Sequence, residues 1–223
     1  MNKTILMKNV SNLNEHERFD LIYSVKVSEK TLNYLKAKLQ NLSIELPSDH
    51  NGNIIELMNR GLLERWCWQT TESAVVFLED DDYIERGNLK FDTYEEYWHS
   101  WICFNFENKE FVFDPCLQIL VESPIYYHIF EVSVEGTVTA KQVREDLIYR
   151  INNPKKKSYN KRLADLVEEI FAPYRSENQK TETLISGTDD VNSPMYGNNT
   201  GYNATIENGR IKNLIAHYYD SDI

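Results

Sequence analysis

The sequence lacks any apolar run long enough to cross a bilayer, which requires about 20 consecutive apolar residues. We therefore predict no membrane-spanning segment and no membrane partner. The first residues, 1–8, hold basic residues and a short apolar run, but no full hydrophobic core and no small-residue cleavage site of a signal peptide. We expect a cytoplasmic protein that is made without a standard signal peptide, and the sequence leaves export by a non-classical route open.

Cysteine and basic residues are also scarce. The three cysteines, Cys67, Cys103 and Cys116, are too few and odd in number for a disulfide framework, and they suit a reducing compartment. They have no zinc-ligand spacing, so we predict no metal. Lysine and arginine number 24 against 35 acidic residues, giving a formal net charge of −11. An acidic chain binds polyanions poorly, so we expect no nucleic-acid partner.

The chain has 223 residues, enough for one domain with a proper core. Helical spacing dominates its first part. Ser28 opens a predicted helix in which Leu32, Leu35 and Leu39 recur on one face. Further helices are predicted over about 17–23, 54–63 (interrupted at Gly61) and 67–78, and the acidic run 79–82 is predicted as a solvated helix end.

From about residue 83 the pattern changes to the alternation typical of strands. Strands are predicted over 83–91, 98–107, 110–114 and 125–134. Helical spacing returns at 143–151 and again at 163–170. Helices, then an antiparallel sheet, then helices indicate an α+β fold.

The last part of the chain differs in composition. Residues 176–209 are mostly small and polar and predict a flexible or surface-draped segment. Ile211, Leu214, Ile215 and Tyr218 then recur at helical spacing and predict a short amphipathic helix. The predicted organisation is one α+β domain over 1–175 and a tail over 176–223, the domain being helical over about 1–80, with a sheet over about 83–135 and helices over about 141–174.

Cys67 is the strongest candidate nucleophile. It stands where a predicted helix begins, and the partial positive charge and free N–H groups of a helix N-terminus favour a thiolate. The same N–H groups can hold the oxyanion that forms when a thiolate attacks a carbonyl. Cys103, in mid-strand, and Cys116, in a loop, lack this setting and are predicted to have structural roles.

A thiol nucleophile needs a base, and the base needs a partner that orients it. Of the five histidines, His99 lies at the start of a strong strand pattern, whereas His128 is predicted to be an ordinary sheet residue. Asp114, directly before Pro115 at the end of the next strand, is the best acid to follow His99. The sequence thus brings forward Cys67, His99 and Asp114.

Two registers are possible for the hairpin of the strands 98–107 and 110–114, and they place Asp114 at different distances from His99. A turn at 108–109 places Phe104 opposite Phe113 and leaves Asp114 roughly 13 Å from His99 along the strands.

A turn centred on 107–108 instead places Phe104 opposite Phe111. Asp114 is then a diagonal neighbour of His99, about 7–8 Å away between backbones, which an imidazole can bridge. The sequence does not choose between the two registers.

The cysteine at a helix start, the His99-Ser100-Trp101 segment on a strand and the aromatic hairpin ending in Asp114-Pro115 form a recognisable set. Over roughly residues 63–117, about a quarter of the chain, the sequence resembles the transglutaminase-like branch of the papain-like cysteine enzymes. The resemblance implies a papain-like α+β core, with Cys67 as nucleophile, His99 as base and Asp114 as orienting acid.

Members of that family form a thioester with an acyl donor and pass the acyl group to an amine or to water. The resemblance therefore implies a thiol-dependent hydrolase or acyltransferase that acts on a peptide, protein or small amide and needs no cofactor. The sequence departs from the family in lacking glycine before the cysteine. For substrate binding or the oxyanion, the candidates near the site are Trp66, Trp68, Gln69 and Trp101.

Two alternatives remain open. Arylamine N-acetyltransferases use the same three residue types in the same order, but their Arg-Gly-Gly-x-Cys segment is absent here, because Arg65 and Trp66 directly precede Cys67. The other alternative is a binding module that keeps the fold without activity.

Overall fold

The computed structural model describes residues 5–47, 49–91, 96–152 and 200–218. These residues form an α+β fold with two sheets. The helices are α1 (Glu15–Tyr23), α2 (Glu29–Leu39), α3 (Ile54–Asn59), α4 (Cys67–Val75), α5 (Ser123–Phe130) and α6 (Ala140–Asn152). The strands are β1 (Leu42–Glu45), β2 (Asn51–Asn53), β3 (Tyr83–Lys90), β4 (Glu96–Phe106), β5 (Lys109–Asp114), β6 (Ile119–Glu122), β7 (Ser133–Thr139), β8 (Thr200–Glu207) and β9 (Arg210–Tyr218).

The first helices begin where side chains cap them. Asn14 and Glu17 form a capping box at the start of α1, and the Ser28 side chain accepts the Thr31 N–H at the start of α2. Both helices confirm the sequence prediction.

Among the described residues, no helix is both long enough and apolar enough to cross a membrane.

The larger sheet has the strand order β6-β5-β4-β3-β7, and all of its neighbouring strands are antiparallel. The β4–β5 hairpin turns at Glu107 and Asn108, which both have positive φ. This turn places Phe104 opposite Phe111 and Ile102 opposite Phe113. The structure therefore adopts the second predicted register, the one that brings Asp114 toward His99.

The smaller sheet has the order β2-β1-β9-β8, in which β1 and β9 run parallel. The sequence prediction missed this sheet. It treated residues up to about 80 as helical, although β1 and β2 lie among them, and it treated the chain end as a flexible tail with a helix.

The predicted amphipathic helix at 211–218 is wrong, because this segment is strand β9. Asn208 and Gly209, both with positive φ, make the tight turn between β8 and β9. A register shift beside Thr205 leaves one extra residue on β9 between Ile211 and Asn213. Because of that bulge, Ile211 and Leu214 are both buried although they are three positions apart, and this spacing imitates that of a helix.

The predicted strand over 125–134 is also wrong, because most of it is α5. Pro124 occupies the first turn of this helix, where its missing N–H costs nothing. Ile125, Tyr126, Ile129 and Phe130 are the buried residues that α5 packs against the sheet. His128 therefore lies on a helix and not in the sheet. The predicted helix at 163–170 lies outside the described residues, as does most of the predicted polar segment.

The core has two parts, one on each face of the larger sheet. On one face, residues 70–75 of α4 are buried, together with residues from α2, α3, α6 and the smaller sheet. On the other face α5 and residues near the N-terminus cover Trp101, Cys103 and Val112. The acidic run after α4 is not wholly solvated as predicted, because Asp82 is buried and accepts the N–H groups of Glu79 and Asn105.

Candidate active site

Helix α4 begins at Cys67, as the sequence predicted. The N-cap residue Trp66 makes no side-chain hydrogen bond to the first turn. The Trp66 ring is instead buried, with its centroid 5.3 Å from that of Tyr218 on β9. The start of the helix is thus held by packing, and Cys67 lies half-buried at the helix N-terminus, where backbone N–H groups have no partner within the helix.

His99 lies on the part of β4 that pairs with β3 but extends beyond the end of β5. The β4–β5 ladder ends at Ile102 and Phe113, while β4 continues to Glu96 without β5 beside it. His99 Nε2 is 2.8 Å from Asp114 Oδ2, and the same imidazole is hydrogen-bonded to the Cys67 thiol. Since Nε2 is taken by the carboxylate, Nδ1 is the ring nitrogen left for the thiol.

Asp114 is fully buried and held by four hydrogen bonds. Its Oδ1 accepts the backbone N–H groups of Cys116 (3.1 Å) and Leu117 (3.0 Å). Its Oδ2 accepts the hydroxyl of Tyr126 on α5 at 2.8 Å and lies at the same distance from His99. The carboxylate is therefore fixed in position before it orients the imidazole.

The electrostatics favour a thiolate at Cys67. Burial alone would raise the pKa of Cys67, but the hydrogen bond and charge of His99, the hydrogen bond of Ser100 and the charge of Arg86 outweigh it and lower that pKa. The imidazole responds in the opposite direction. Burial would lower the pKa of His99, yet Asp114 and Cys67 together raise it to about 10. Thiolate and imidazolium thus stabilise each other.

The other two thiols are in the opposite situation. Burial and the Glu85 charge raise the pKa of Cys103, whose sulfur is hydrogen-bonded to Glu85 and Tyr127. Burial and the Asp114 charge raise the pKa of Cys116, which is buried against Thr70. The structural roles predicted for both thiols fit these positions, and Cys116, which was predicted to lie in a loop, is buried.

The four residues predicted for substrate or oxyanion contacts lie in different environments. The prediction for Trp101 is wrong, because this residue is fully buried beneath α5 and its indole N–H donates to Glu85 at 2.8 Å. Trp66 is a buried packing residue. Trp68 and Gln69 are half-buried in the first turn of α4, next to Cys67, and remain at the site.

Three further residues belong to the site and were missed from the sequence: Tyr126, which bonds Asp114, and Ser100 and Arg86, which act on Cys67. Tyr126 was lost because α5 was predicted as a strand, although the Ser123-Pro124 pair is a helix-start signal. Ser100 and Arg86 carried no sequence signal, because only the pairing of β3 with β4 brings them together.

Comparisons with protein-family models, curated proteins and solved structures found no match to this chain. Among the described residues, His, Cys, Asp and Glu side chains form no cluster of three that could hold a metal ion. The site therefore has to be interpreted from its own geometry. That geometry places a thiol at a helix N-terminus, an imidazole beside it and a fixed carboxylate behind the imidazole, a combination suited to nucleophilic attack on a carbonyl.

Proposed function

We propose that the protein is a thiol-dependent hydrolase or acyltransferase that acts on amide or peptide bonds through Cys67, His99 and Asp114. The observation that carries the proposal is the bridging position of His99, which bonds the buried Asp114 on one side and the Cys67 thiol on the other. This is the relationship that a base needs with its nucleophile and with its orienting acid.

The resemblance to transglutaminase-like, papain-like enzymes supports the same proposal. The order Cys67, His99, Asp114 and the placement of the cysteine at a helix start and of the other two on antiparallel strands agree with it. We propose a papain-like core for the α+β fold on this basis.

In the proposed reaction the Cys67 thiolate attacks the carbonyl carbon of an amide, and a C–S bond forms while the carbonyl oxygen becomes an oxyanion. The first-turn N–H groups of α4, the helix that begins at Cys67, are the candidate oxyanion donors. The His99 imidazolium then gives its proton to the leaving amine as the C–N bond breaks, which leaves a thioester on Cys67.

In the second half the neutral His99 takes a proton from water or from an acceptor amine, which attacks the thioester. The C–S bond breaks and the sulfur departs as a thiolate, so the pair of charges is restored. Asp114 keeps the imidazole oriented through both halves and does not itself take the proton.

The test is to trap the acyl-enzyme. The protein is treated with p-nitrophenyl acetate, and the acetyl group is located by peptide mass mapping, with hydroxylamine used to show that the bond is a thioester. The proposal predicts an adduct at Cys67 that is absent in Cys67→Ala and His99→Ala but present in His128→Ala. His128 is the matched control because it lies on α5 with its Nε2 near the Lys8 carbonyl, away from the thiol.

Acetylation that falls on Cys103 or Cys116, or that proceeds unchanged in His99→Ala, would refute the proposal. If the adduct forms, its decay in water alone, compared with its decay in the presence of a primary amine, separates hydrolysis from transfer.

A further inference from the structure

Two further residues besides His99 act on the Cys67 thiol, Ser100 and Arg86, and we call them its second flank. Ser100 follows His99 on β4 and is hydrogen-bonded to the thiol. The Ser100 hydroxyl also lies 3.4 Å from that of Thr71, which in turn donates to the Cys67 carbonyl at 2.8 Å. Ser100 thus connects the sulfur to the first turn of α4.

Arg86 stands next to Ser100 in the neighbouring strand, because the two residues are direct partners in the β3–β4 ladder. Its guanidinium carbon lies 3.3 Å from the centroid of the Trp68 ring, and Trp68 directly follows Cys67 in the helix. Arg86 is only 9% exposed. The cation is therefore held in one place, between the sheet and the start of α4, where solvent screens it little.

A fixed cation here has a chemical use that His99 cannot supply alone. The imidazolium stabilises the thiolate only while it keeps its proton, and in the proposed reaction it gives that proton to the leaving group. When the sulfur next departs from the thioester, His99 is gaining its proton back and its charge is incomplete. Arg86 remains charged throughout, because a guanidinium does not lose its proton in this range.

We propose that Arg86 and Ser100 stabilise the Cys67 thiolate independently of the protonation state of His99. The inference rests on the proposed function of Cys67 as nucleophile. It adds that the site has two sources of thiolate stabilisation, one that transfers a proton and one that does not.

The test is the pH profile of Cys67 alkylation by iodoacetamide, with the adduct quantified by peptide mapping. Charged and titratable groups that act on the thiol come from several elements: His99 on β4, Arg86 on β3, Asp114 on β5 through His99, and Cys116 in the turn after β5. Substituting only Arg86 or Ser100 leaves the others in place, so a shift of the acidic limb reports on the substituted residue.

Arg86→Gln is expected to move the acidic midpoint upward by about one pH unit, which slows labelling about tenfold on that limb. Arg86→Lys keeps the charge but loses the planar stacking on Trp68, and it should restore most of the midpoint. A purely structural role for the stacking predicts the reverse, with Lys behaving like Gln. Arg65→Gln is the matched control, since Arg65 lies over the Trp66 ring at 5.3 Å but is exposed.

A profile in Arg86→Gln that matches the wild type, while wild-type Cys67 reacts rapidly, would overturn this inference and leave the proposed function intact. Slow labelling of wild-type Cys67 would instead refute the proposed function. Should Arg86→Gln fail to fold, Ser100→Ala carries the test: an upward shift of its midpoint supports the second flank, and an unchanged midpoint overturns it.

Discussion

His99 and Asp114 meet through a 2.8 Å contact between Nε2 and Oδ2 at the point where β5 ends and β4 continues. The contact depends on the register of the β4–β5 hairpin, since a turn displaced by a single residue would carry Asp114 away from His99. The positive φ angles of Glu107 and Asn108 set that register. A two-residue turn thus determines whether the imidazole has an acid behind it.

Asp114→Asn tests the orienting role of the acid. The amide can offer an N–H where His99 needs an acceptor, so the imidazole is held in the wrong tautomer, and we expect acylation of Cys67 to slow by up to roughly 10⁴-fold. Stopped-flow acylation with p-nitrophenyl acetate measures the rate. Asp82→Asn is a matched control, because Asp82 is also buried and accepts backbone N–H groups. Equal rates in Asp114→Asn and the wild type would show that Asp114 does not orient the base.

Tyr126→Phe tests the support behind Asp114. The substitution removes one of four donors to the carboxylate, and we expect a loss of about 1 kcal/mol in the free energy of unfolding, measured by urea denaturation. Acylation of Cys67 should fall less than in Asp114→Asn, because the contact between His99 and Asp114 remains. Tyr127 lies on the same helix but donates its hydroxyl to Glu85 on β3, so Tyr127→Phe should leave acylation unchanged. A Tyr126→Phe variant as slow as Asp114→Asn would mean that Tyr126 has a more direct role.

The stability contributed by His99 should depend on pH. Its pKa is raised from 6.5 to about 10 in the folded protein, chiefly by the Asp114 charge acting against burial, so folding favours the protonated imidazole. The contribution is therefore fully present below pH 6.5 and is lost as the pH rises through about 10. The difference in unfolding free energy between wild type and His99→Gln should shrink over this range. A difference that is constant from pH 6 to pH 10 would contradict the raised pKa.

The C-terminal hairpin should be part of the folding unit. Leu214 on β9 is fully buried and pairs in register with Leu42 on β1. Leu214→Ala should cost about 2–5 kcal/mol in the free energy of unfolding. Lys212→Ala, an exposed change on the same strand, is the control and should cost little. A small loss in Leu214→Ala would show that the hairpin is dispensable.

The sequence predicted those parts of the fold in which local signals agree with tertiary packing. Ser28 and Cys67 mark helix starts, and the alternating aromatics of β4 and β5 mark a hairpin. The prediction of α5 failed because the short, mostly apolar segment Ser123–Phe130 has no clear period, and burial of one face decided the outcome. The prediction of β9 failed because a bulge displaced the alternation by one residue.

The candidate site was predicted as far as its residue types carry their own chemistry. Cys67, His99 and Asp114 could be selected because a thiol, an imidazole and a carboxylate are each rare in those settings. Arg86 and Ser100 could not, because an arginine and a serine in strands are ordinary residues until the strands pair.

The most direct measurement is the rate of iodoacetamide labelling at each of the three thiols as a function of pH, resolved by peptide mapping. The pKa of Cys67 is lowered from 9.0 despite burial, through His99, Ser100 and Arg86, whereas burial raises the pKa of Cys103 and of Cys116. A lowered pKa leaves a larger fraction of Cys67 ionised at each pH below 9.0 than an ordinary thiol would have, so Cys67 should be labelled faster than Cys103 and Cys116 over this range, including below pH 7. Labelling of Cys67 that is no faster than that of Cys103 and Cys116 below pH 7, or that appears only near pH 9, would contradict the account.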